Sequence, residues 1–253
     1  MAISLLNERE YRITDKVTVF IPTLGEYRDK TKRSDYEILM NLFLLTPSNY
    51  MLELSEAGRD FTKISEYDFF IENFFVMFLL PQIQKKEINI DSKLLFKDLD
   101  FKTLLPQEQE NGRTVLVNAD GDIVIDEYVY IQIGLLFCEM LNIKKYRKKP
   151  ANKIARDYFL ELEREHRNNA KRINQKAKNN FDEMIIAMVC NPNFPYDFET
   201  INSLTIYDFY CCVQQIMKWV NYENLMRGIY SGFGAVDPKK VKKSEFNWLS
   251  FRT

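Results

Sequence analysis

The stretch SLTIYDFYCCVQQIMKWVNYENLMRGIYSGFG, residues 203–234, carries the strongest helix signal in the sequence. Thr205 and Asp208 have the spacing of a capping box, in which side-chain oxygens satisfy free backbone N–H groups at a helix start. Apolar side chains then recur at steps of three and four, which predicts one apolar helix face. Gly232 and Gly234 end the pattern, because glycine frees the backbone. The stretch predicts a long packing helix with no catalytic residue.

Composition places the chain among ordinary globular proteins. At 253 residues it is long enough to bury a substantial core, and 46% of its residues are apolar and 28% charged. Phe and Tyr are abundant, whereas Gly and Pro are sparse, which favours helices with bulky packing over a turn-rich sandwich. The net charge of -1 argues against a wholly basic nucleic-acid binder.

Compartment signals favour the cytoplasm. The four cysteines form no CxxC motif, which predicts reduced thiols and no disulfide framework. The start MAISLLNERE lacks the basic and apolar segments of a signal peptide. The most apolar run, residues 69–80, is shorter than the roughly 20 residues that a membrane span needs. We therefore expect no membrane association.

Two short hairpins are predicted from alternating apolar and polar residues. Residues 11–21, YRITDKVTVFI, alternate on both sides of a polar Thr-Asp-Lys turn. In the middle of the chain, apolar pairs at 115–117 and 123–125 flank an Asp-Gly pair at 120–121. An Asp-Gly pair in this setting is a strong hairpin signal, because both residues tolerate the positive φ of a tight turn.

Helical spacing, caps and stop residues predict the remaining elements. The predicted helices cover residues 34–45, 48–54, 65–80, 126–141, 151–179, 181–189 and 203–234. The fold class is therefore mainly α with small β-hairpins (α+β), a helical core with an N-terminal hairpin and a mid-chain Asp-Gly hairpin. A division is predicted near Pro81. Residues 1–81 then hold the N-terminal hairpin and helices, and residues 82–253 hold the second hairpin, a basic amphipathic helix and the C-terminal helical unit. The two parts can also pack as a single domain.

The sequence contains no pattern that indicates catalysis, a metal or a cofactor. The acidic loop at 118–122 departs from a calcium loop, since Gly121 falls inside its acidic triplet and no glutamate follows at the required offset. His166 is the only histidine, and nothing near it suggests an activated nucleophile. There is no GxxxxGK[ST] motif to hold a phosphate. We predict a protein that is not an enzyme.

Basic residues dominate the region from Lys144 to Lys178, with thirteen cations against four carboxylates, or about +9. At about 100° per residue, six cations of the predicted helix share one face: Lys153, Arg156, Arg164, Arg167, Lys171 and Lys178. Leu160 lies inside this basic stripe, and Ile154 and Tyr158 lie on the opposing side. The stripe is either a solvated helix face or a docking surface for nucleic acid or an acidic partner. The aromatic residues lie on the opposing side, which weakens the nucleic-acid interpretation.

The end of the chain is an aromatic tail that follows a lysine-rich linker. Such a tail either folds back on the core or waits for a partner, because chain ends stay mobile unless something holds them. The candidate partner-contact residues are Phe246, Trp248, Leu249 and Phe251.

Two stretches resemble a known family. KVTVFIPTLGEYRDK, within residues 11–30, resembles the opening of tail assembly chaperones of long-tailed phages and prophages of Gram-positive bacteria. Residues 204–249, with the motif YDF, a glycine-rich break, the segment DPKK and a terminal Asn-Trp, are similar to the end of the same proteins. The resemblance covers most of the chain loosely, and these two stretches carry its specific part.

The resemblance implies a non-enzymatic cytoplasmic factor made in the infected cell. Such a factor binds the phage tape-measure protein, a long apolar-rich helix, and keeps it soluble while the tail assembles. Self-association of the chaperone stays open, as does a longer form made by ribosomal frameshifting. Two alternatives remain: a structural tail or neck component of the virion, and a nucleic-acid-binding adaptor that uses the basic stripe. Nucleic acid is the less favoured partner.

Overall fold

The structure is a computed structural model that describes residues 5–97, 99–110, 112–172, 180–231 and 237–249. Its helices are α1 Leu24–Arg28, α2 Arg33–Leu44, α3 Met51–Glu56, α4 Glu66–Phe74, α5 Leu80–Ile83, α6 Lys93–Phe96, α7 Glu127–Met140, α8 Lys153–Arg172, α9 Asn180–Val189 and α10 Ile206–Tyr230. Its strands are β1 Glu10–Arg12, β2 Thr18–Phe20, β3 Leu105–Glu108, β4 Thr114–Val117 and β5 Ile123–Ile125. Short 3₁₀ turns connect many of these elements.

The predicted fold class, mainly α with small antiparallel hairpins, is confirmed. β1 and β2 pair with Tyr11 opposite Val19, and β4 pairs with β5 around the predicted Asp-Gly turn, where Gly121 has a φ of 81°. The sequence analysis missed β3, which pairs with the other side of β4. All four of its residues are exposed, so LPQE shows no alternation of buried and polar positions from which a strand could be predicted.

Side-chain caps begin the helices at the predicted places. The Thr205 hydroxyl accepts a hydrogen bond from the Asp208 backbone N–H at 3.0 Å, and Ser65 does the same for Asp68 at 3.0 Å. Asp126 caps α7 by accepting from the Val129 N–H at 2.8 Å. Each cap satisfies one of the four N–H groups that a helix start leaves without a partner.

The helix that begins at Glu66 continues past Pro81, where the sequence predicted its end. Residues 75–79 form a π-helical turn between α4 and α5. A proline ring clashes with the carbonyl four residues earlier in a regular α-helix and removes one N–H donor. The wider π turn directly before Pro81 accommodates both effects, so the chain stays helical to Ile83.

Aromatic rings fill the centre of the main core. The Phe43 ring, which is fully buried on α2, lies within 6.3 Å of five other ring centroids. These rings belong to Phe70, Phe96, Phe101, Tyr130 and Phe137. The same buried cluster extends from Leu5 to Cys211, so it includes residues on both sides of the predicted division near Pro81. α2, α4 and α7 are the helices around this centre.

The two stretches that carry the family resemblance meet in space. The Leu24 N–H donates to the Leu204 carbonyl at 2.8 Å, and the Ile206 N–H donates to the Pro22 carbonyl at 2.9 Å. Gly25 lies against this joint, because a Cβ there would come within 3.2 Å of a backbone oxygen of the segment before α10. The N-terminal PTLGE segment therefore holds the first turn of α10 in place.

Candidate partner-binding surface

α7 is apolar around most of its circumference, but the core covers only part of it. Its inner side chains are fully or nearly fully buried: Val129, Tyr130, Ile133, Leu136, Phe137 and Met140. Its outer side presents Tyr128, Ile131 and Leu135, which are 65%, 44% and 52% exposed. Ile143, just beyond the helix end, is also exposed. The spacing of three and then four residues lines these side chains along one helix face.

Two cavities lie along this face, and a third adjoins them on α10. The first, of about 320 Å³, is lined by Ile131, Leu135 and Ile143, and it shares the last two with a second cavity of about 390 Å³. The second cavity extends to Lys218 of α10, which also lines a third cavity of about 480 Å³. We call this continuous surface the α7–α10 groove. It contains Ile131, Leu135 and Ile143 at one end, Gln214 and Lys218 in the middle, and Leu225 with Trp248 at the other end.

One end of the groove is strongly basic. The segment that follows α7 contains five cations. Two of them, Lys145 and Arg147, pair with the Glu66 carboxylate. Lys144 and Lys149 are exposed, and Arg147 is half-exposed beside Glu66. The cations are Lys144, Lys145, Arg147, Lys148 and Lys149. This end therefore carries a net positive charge next to exposed apolar side chains.

A buried lysine anchors the basic segment to the core. The Lys145 ammonium lies 3.3 Å from the Glu66 carboxylate and 3.0 Å from the Tyr130 hydroxyl, and its side chain is 7% exposed. It also lies 4.4 Å from the centre of the Tyr130 ring, a cation–π distance. Gly134 makes room for it, since a Cβ there would come within 3.0 Å of the end of the Lys145 side chain. Gly134 is thus a site of close approach, and α7 continues through it.

The ionisation of this pair follows from its surroundings. Burial raises the pKa of the Glu66 carboxyl, but the hydrogen bond from Arg147 and the charges of Lys145 and Arg147 outweigh it, so the pKa lies below its ordinary value. Burial lowers the pKa of the Lys145 ammonium, and the carboxylate of Glu66 opposes that shift. The carboxylate therefore keeps a buried cation compensated.

The aromatic tail contacts α10. The Trp248 ring lies 4.7 Å from the Trp219 ring in an edge-to-face arrangement, and the Gln215 side chain donates to the Trp248 carbonyl at 2.7 Å. Phe246 is partly buried, whereas Leu249 is 70% exposed. Phe251, the fourth predicted contact residue, lies outside the described residues. The tail is thus folded back through Trp248, and Leu249 is the side chain it leaves most open.

The basic stripe of α8 is partly engaged within the protein. Arg156 pairs with Asp60 at 2.5 Å, and Arg167 pairs with Glu53 at 2.5 Å. Lys153 and Arg164 are exposed. The Lys171 side chain and the whole of Lys178 lie outside the described part of the chain. The stripe is therefore not a uniformly solvated face, because two of its arginines hold α8 against the N-terminal helices.

α8 packs against the N-terminal helices through the face that carries the basic stripe. Its opposite face, which has more apolar residues, is the more exposed one. Leu160, the single apolar residue of the stripe, is 6% exposed and packs with Met51, Leu52, Leu54, Phe61 and Phe69. Ile154 and Tyr158, on the apolar side, are 81% and 59% exposed. Leu160 and the partly buried Phe159 pack on a second small core, and these contacts together with the flanking ion pairs outweigh the amphipathic pattern. The helical count located the stripe, but it could not tell which face would be covered.

Cys211 and the calcium-like loop were two other places where the sequence could have indicated chemistry. Burial raises the pKa of the Cys211 thiol to about 12, the opposite of an activated nucleophile. In the calcium-like loop, Asp122 pairs with Lys16 at 2.7 Å. Within the described ranges, no group of three His, Cys, Asp or Glu residues is arranged to hold a metal ion. A search of the described helices finds none that is long and apolar enough to cross a membrane.

Of the groove residues, Trp248 was among the candidates predicted from the sequence, and those of α7 were not. The available signal was the α7 stretch itself, whose apolar residues exceed what one buried face requires. Such a helix is either fully buried or covered by a partner, and the sequence contains nothing to separate the two.

Comparison with known proteins gives one family match. Residues 173–250 match the family described as the YomV second domain, which is phage-derived and named for a Bacillus prophage protein. No curated protein and no solved structure matches the chain. The match includes α9, α10 and the Trp248 end of the groove, and it is consistent with a phage protein.

Proposed function

We propose that this chain is a non-enzymatic phage tail assembly chaperone that binds the tape-measure protein and keeps it soluble during assembly. The α7–α10 groove is the observation that carries the proposal. It leaves Ile131 and Leu135 about half exposed on a helix whose other side is fully buried. A row of apolar side chains that stays exposed along a groove of a globular protein is typical of a site for another protein.

The dimensions of the groove suit a helical partner. α7 has 14 residues and is roughly 20 Å long at 1.5 Å per residue, and its exposed apolar row from Tyr128 to Leu135 covers about half of that length. The groove extends beyond it to Lys218 and Leu225 of α10. Grooves of this length accept one face of an amphipathic helix, with its apolar residues three and four positions apart. A long apolar-rich helix such as the tape-measure protein has this chemistry.

The phage context supports the proposal from a separate direction. The YomV second domain match is consistent with a phage protein, and the two stretches that resemble tail assembly chaperones contact each other at the start of α10. The adaptor alternative is less favoured, because Arg156 and Arg167 of the basic stripe already pair with carboxylates of the same chain.

Co-expression with the tape-measure protein encoded by the same phage tests the proposal. We expect the tape-measure protein, insoluble alone, to stay in the soluble fraction and to co-purify with this chain. Purified virions should lack the chain, because a chaperone leaves before the particle is complete. Independent behaviour of the two proteins in the pull-down would contradict the proposal. Stoichiometric amounts in the virion would instead identify a structural component.

A further inference from the structure

We infer that the α7–α10 groove binds an amphipathic helix in one orientation, with an acidic end of that helix against residues 144–149. The inference rests on the proposed function only for the biological identity of the partner. It names two properties of the bound segment that the proposed function leaves open, the position of its charges and its direction.

The apolar part of the groove sets the conformation of the bound segment. Ile131 and Leu135 lie one helical turn apart and form the floor of the first cavity, and Leu135 and Ile143 continue into the second. A helix laid along this row buries apolar side chains at positions i, i+3 or i+4, and i+7. An extended segment would place alternate side chains in solvent and would leave much of this floor uncovered.

Charge sets the direction. At the Ile143 end, the exposed Lys144 and the half-exposed Arg147 line the first cavity beside the apolar floor. Glu66 is already engaged by Lys145 and Arg147, so it cannot compensate the remaining cations. At the other end, the third cavity is lined by Lys218 and Glu245, whose charges offset each other, and the exposed Lys242 and Lys243 directly precede its lining residues. Residues 144–149 carry five cations against the single carboxylate of Glu66, so that end has the greater positive charge. Carboxylates of a bound helix are therefore attracted more strongly to residues 144–149 than to the third cavity.

Synthetic peptides test the inference with the full chain. The probe is a fluorescent amphipathic helix of about 18 residues, or roughly 27 Å, with apolar residues three and four apart and three glutamates at one end. The control peptide carries lysines in place of the glutamates. We expect the glutamate peptide to bind at least about tenfold more tightly in fluorescence anisotropy, with a difference that shrinks as salt is added. Equal binding of the two peptides would overturn the charge assignment.

Matched substitutions locate the site. Leu135→Asp should weaken binding of the glutamate peptide by at least about tenfold, whereas Ile154→Asp, at a more exposed apolar residue on α8, should leave it unchanged. Lys144→Glu should weaken binding several-fold, and Lys153→Glu on α8 should not. Circular dichroism spectra check that all four variants fold. Unchanged binding to the Leu135 variant would place the peptide elsewhere and contradict the inference.

Crosslinking reads the orientation directly. A photo-reactive group beside the glutamates should mark residues 144–149, and one at the opposite end should mark α10 near Lys218. The reverse pattern would refute the orientation. Dimerisation of the chain without peptide, abolished by Leu135→Asp, would mean that a second copy covers the groove and would also overturn the inference.

The two proposals fail separately. If the chain binds the glutamate peptide in the groove but ignores the tape-measure protein, the proposed function is wrong and the groove assignment stands. If the tape-measure protein binds and Leu135→Asp has no effect on that complex, the groove assignment is wrong and the proposed function stands.

Discussion

Replacing Glu66 with glutamine should destabilise the protein substantially, because it removes the charge that compensates a buried lysine. The Lys145 ammonium is 3.3 Å from the Glu66 carboxylate, and its side chain is 7% exposed. The remaining partners of the ammonium would be the Tyr130 hydroxyl and ring. Glutamine keeps an oxygen that can accept a hydrogen bond, so the variant isolates the loss of charge.

The size of the effect can be bounded. At an effective dielectric constant of about 20, the attraction across 3.3 Å is about 5 kcal/mol. Two gains offset part of this lost attraction. The variant no longer pays the cost of desolvating the Glu66 carboxylate, and the Arg147 guanidinium becomes hydrated again. Lys145 can also lose its proton, which at pH 7 costs about 4.6 kcal/mol for a lysine of ordinary pKa and sets an upper limit. We expect a net loss of about 3 kcal/mol.

Urea and thermal unfolding measure this loss. For a chain of this size, about 3 kcal/mol corresponds to a fall in Tm of about 6–12 °C. Glu223→Gln is the matched control, because Glu223 pairs with the 75% exposed Arg227 on the surface of α10, and its loss should cost less than about 0.5 kcal/mol. Lys145→Met, added to Glu66→Gln, should recover much of the stability by removing the uncompensated cation. Equal losses for the two glutamine variants would refute the reasoning.

The same pair gives a pH dependence. The folded pKa of Glu66 lies below its ordinary value of 4.5, so the unfolded chain takes up a proton first as the pH falls. Its contribution to stability is therefore complete above about pH 4.5 and is lost as the pH drops through the lower folded value. The unfolding free energies of the wild-type chain and Glu66→Gln should approach each other in acid. A constant difference down to pH 2 would contradict the assignment.

Three further predictions concern α8, the tail and α10. Arg167→Glu should lower the unfolding free energy by about 1–2 kcal/mol, because it places a like charge beside Glu53. The control Arg164→Glu, at an exposed residue on the same face, should change it by less than about 0.5 kcal/mol. Urea titrations measure both. Trp248→Phe should abolish the exciton couplet of the two tryptophans in far-ultraviolet circular dichroism, and a couplet that persists would show that the rings are not paired. Thr205→Ala should cost about 1–2 kcal/mol in thermal unfolding by removing the cap of α10, and an unchanged Tm would contradict that role.

Local rules succeeded where the physics is local. A hydroxyl three residues before a free N–H caps a helix whatever surrounds it, which is why Thr205 and Ser65 were read correctly. The Asp-Gly turn needs only the positive φ that Gly121 adopts. The predicted helix end before Pro81 was wrong, because the effect of a proline depends on the backbone before it. Here a π turn makes room for the proline ring.

The candidate site was beyond local rules. Leu160 and Ile154 are both apolar residues of α8, yet one is 6% and the other 81% exposed. The difference comes from residues about a hundred positions earlier in the chain, Asp60 and Phe61, which meet α8 only in the folded protein. The groove has the same origin, because the exposure of Leu135 depends on which side of α7 the aromatic centre covers.

The sequence by itself determined the helix and hairpin content, the caps, the basic stripe and the family resemblance, because periodicity and short-range hydrogen bonding are written in neighbouring residues. Only the tertiary structure decided which faces of α7 and α8 are buried, that Lys145 crosses Gly134 to reach Glu66, and that the PTLGE and YDF stretches form one joint. Those outcomes depend on contacts between residues far apart in the chain. Such contacts are chosen by how whole surfaces fit together, and no single stretch of sequence contains that information.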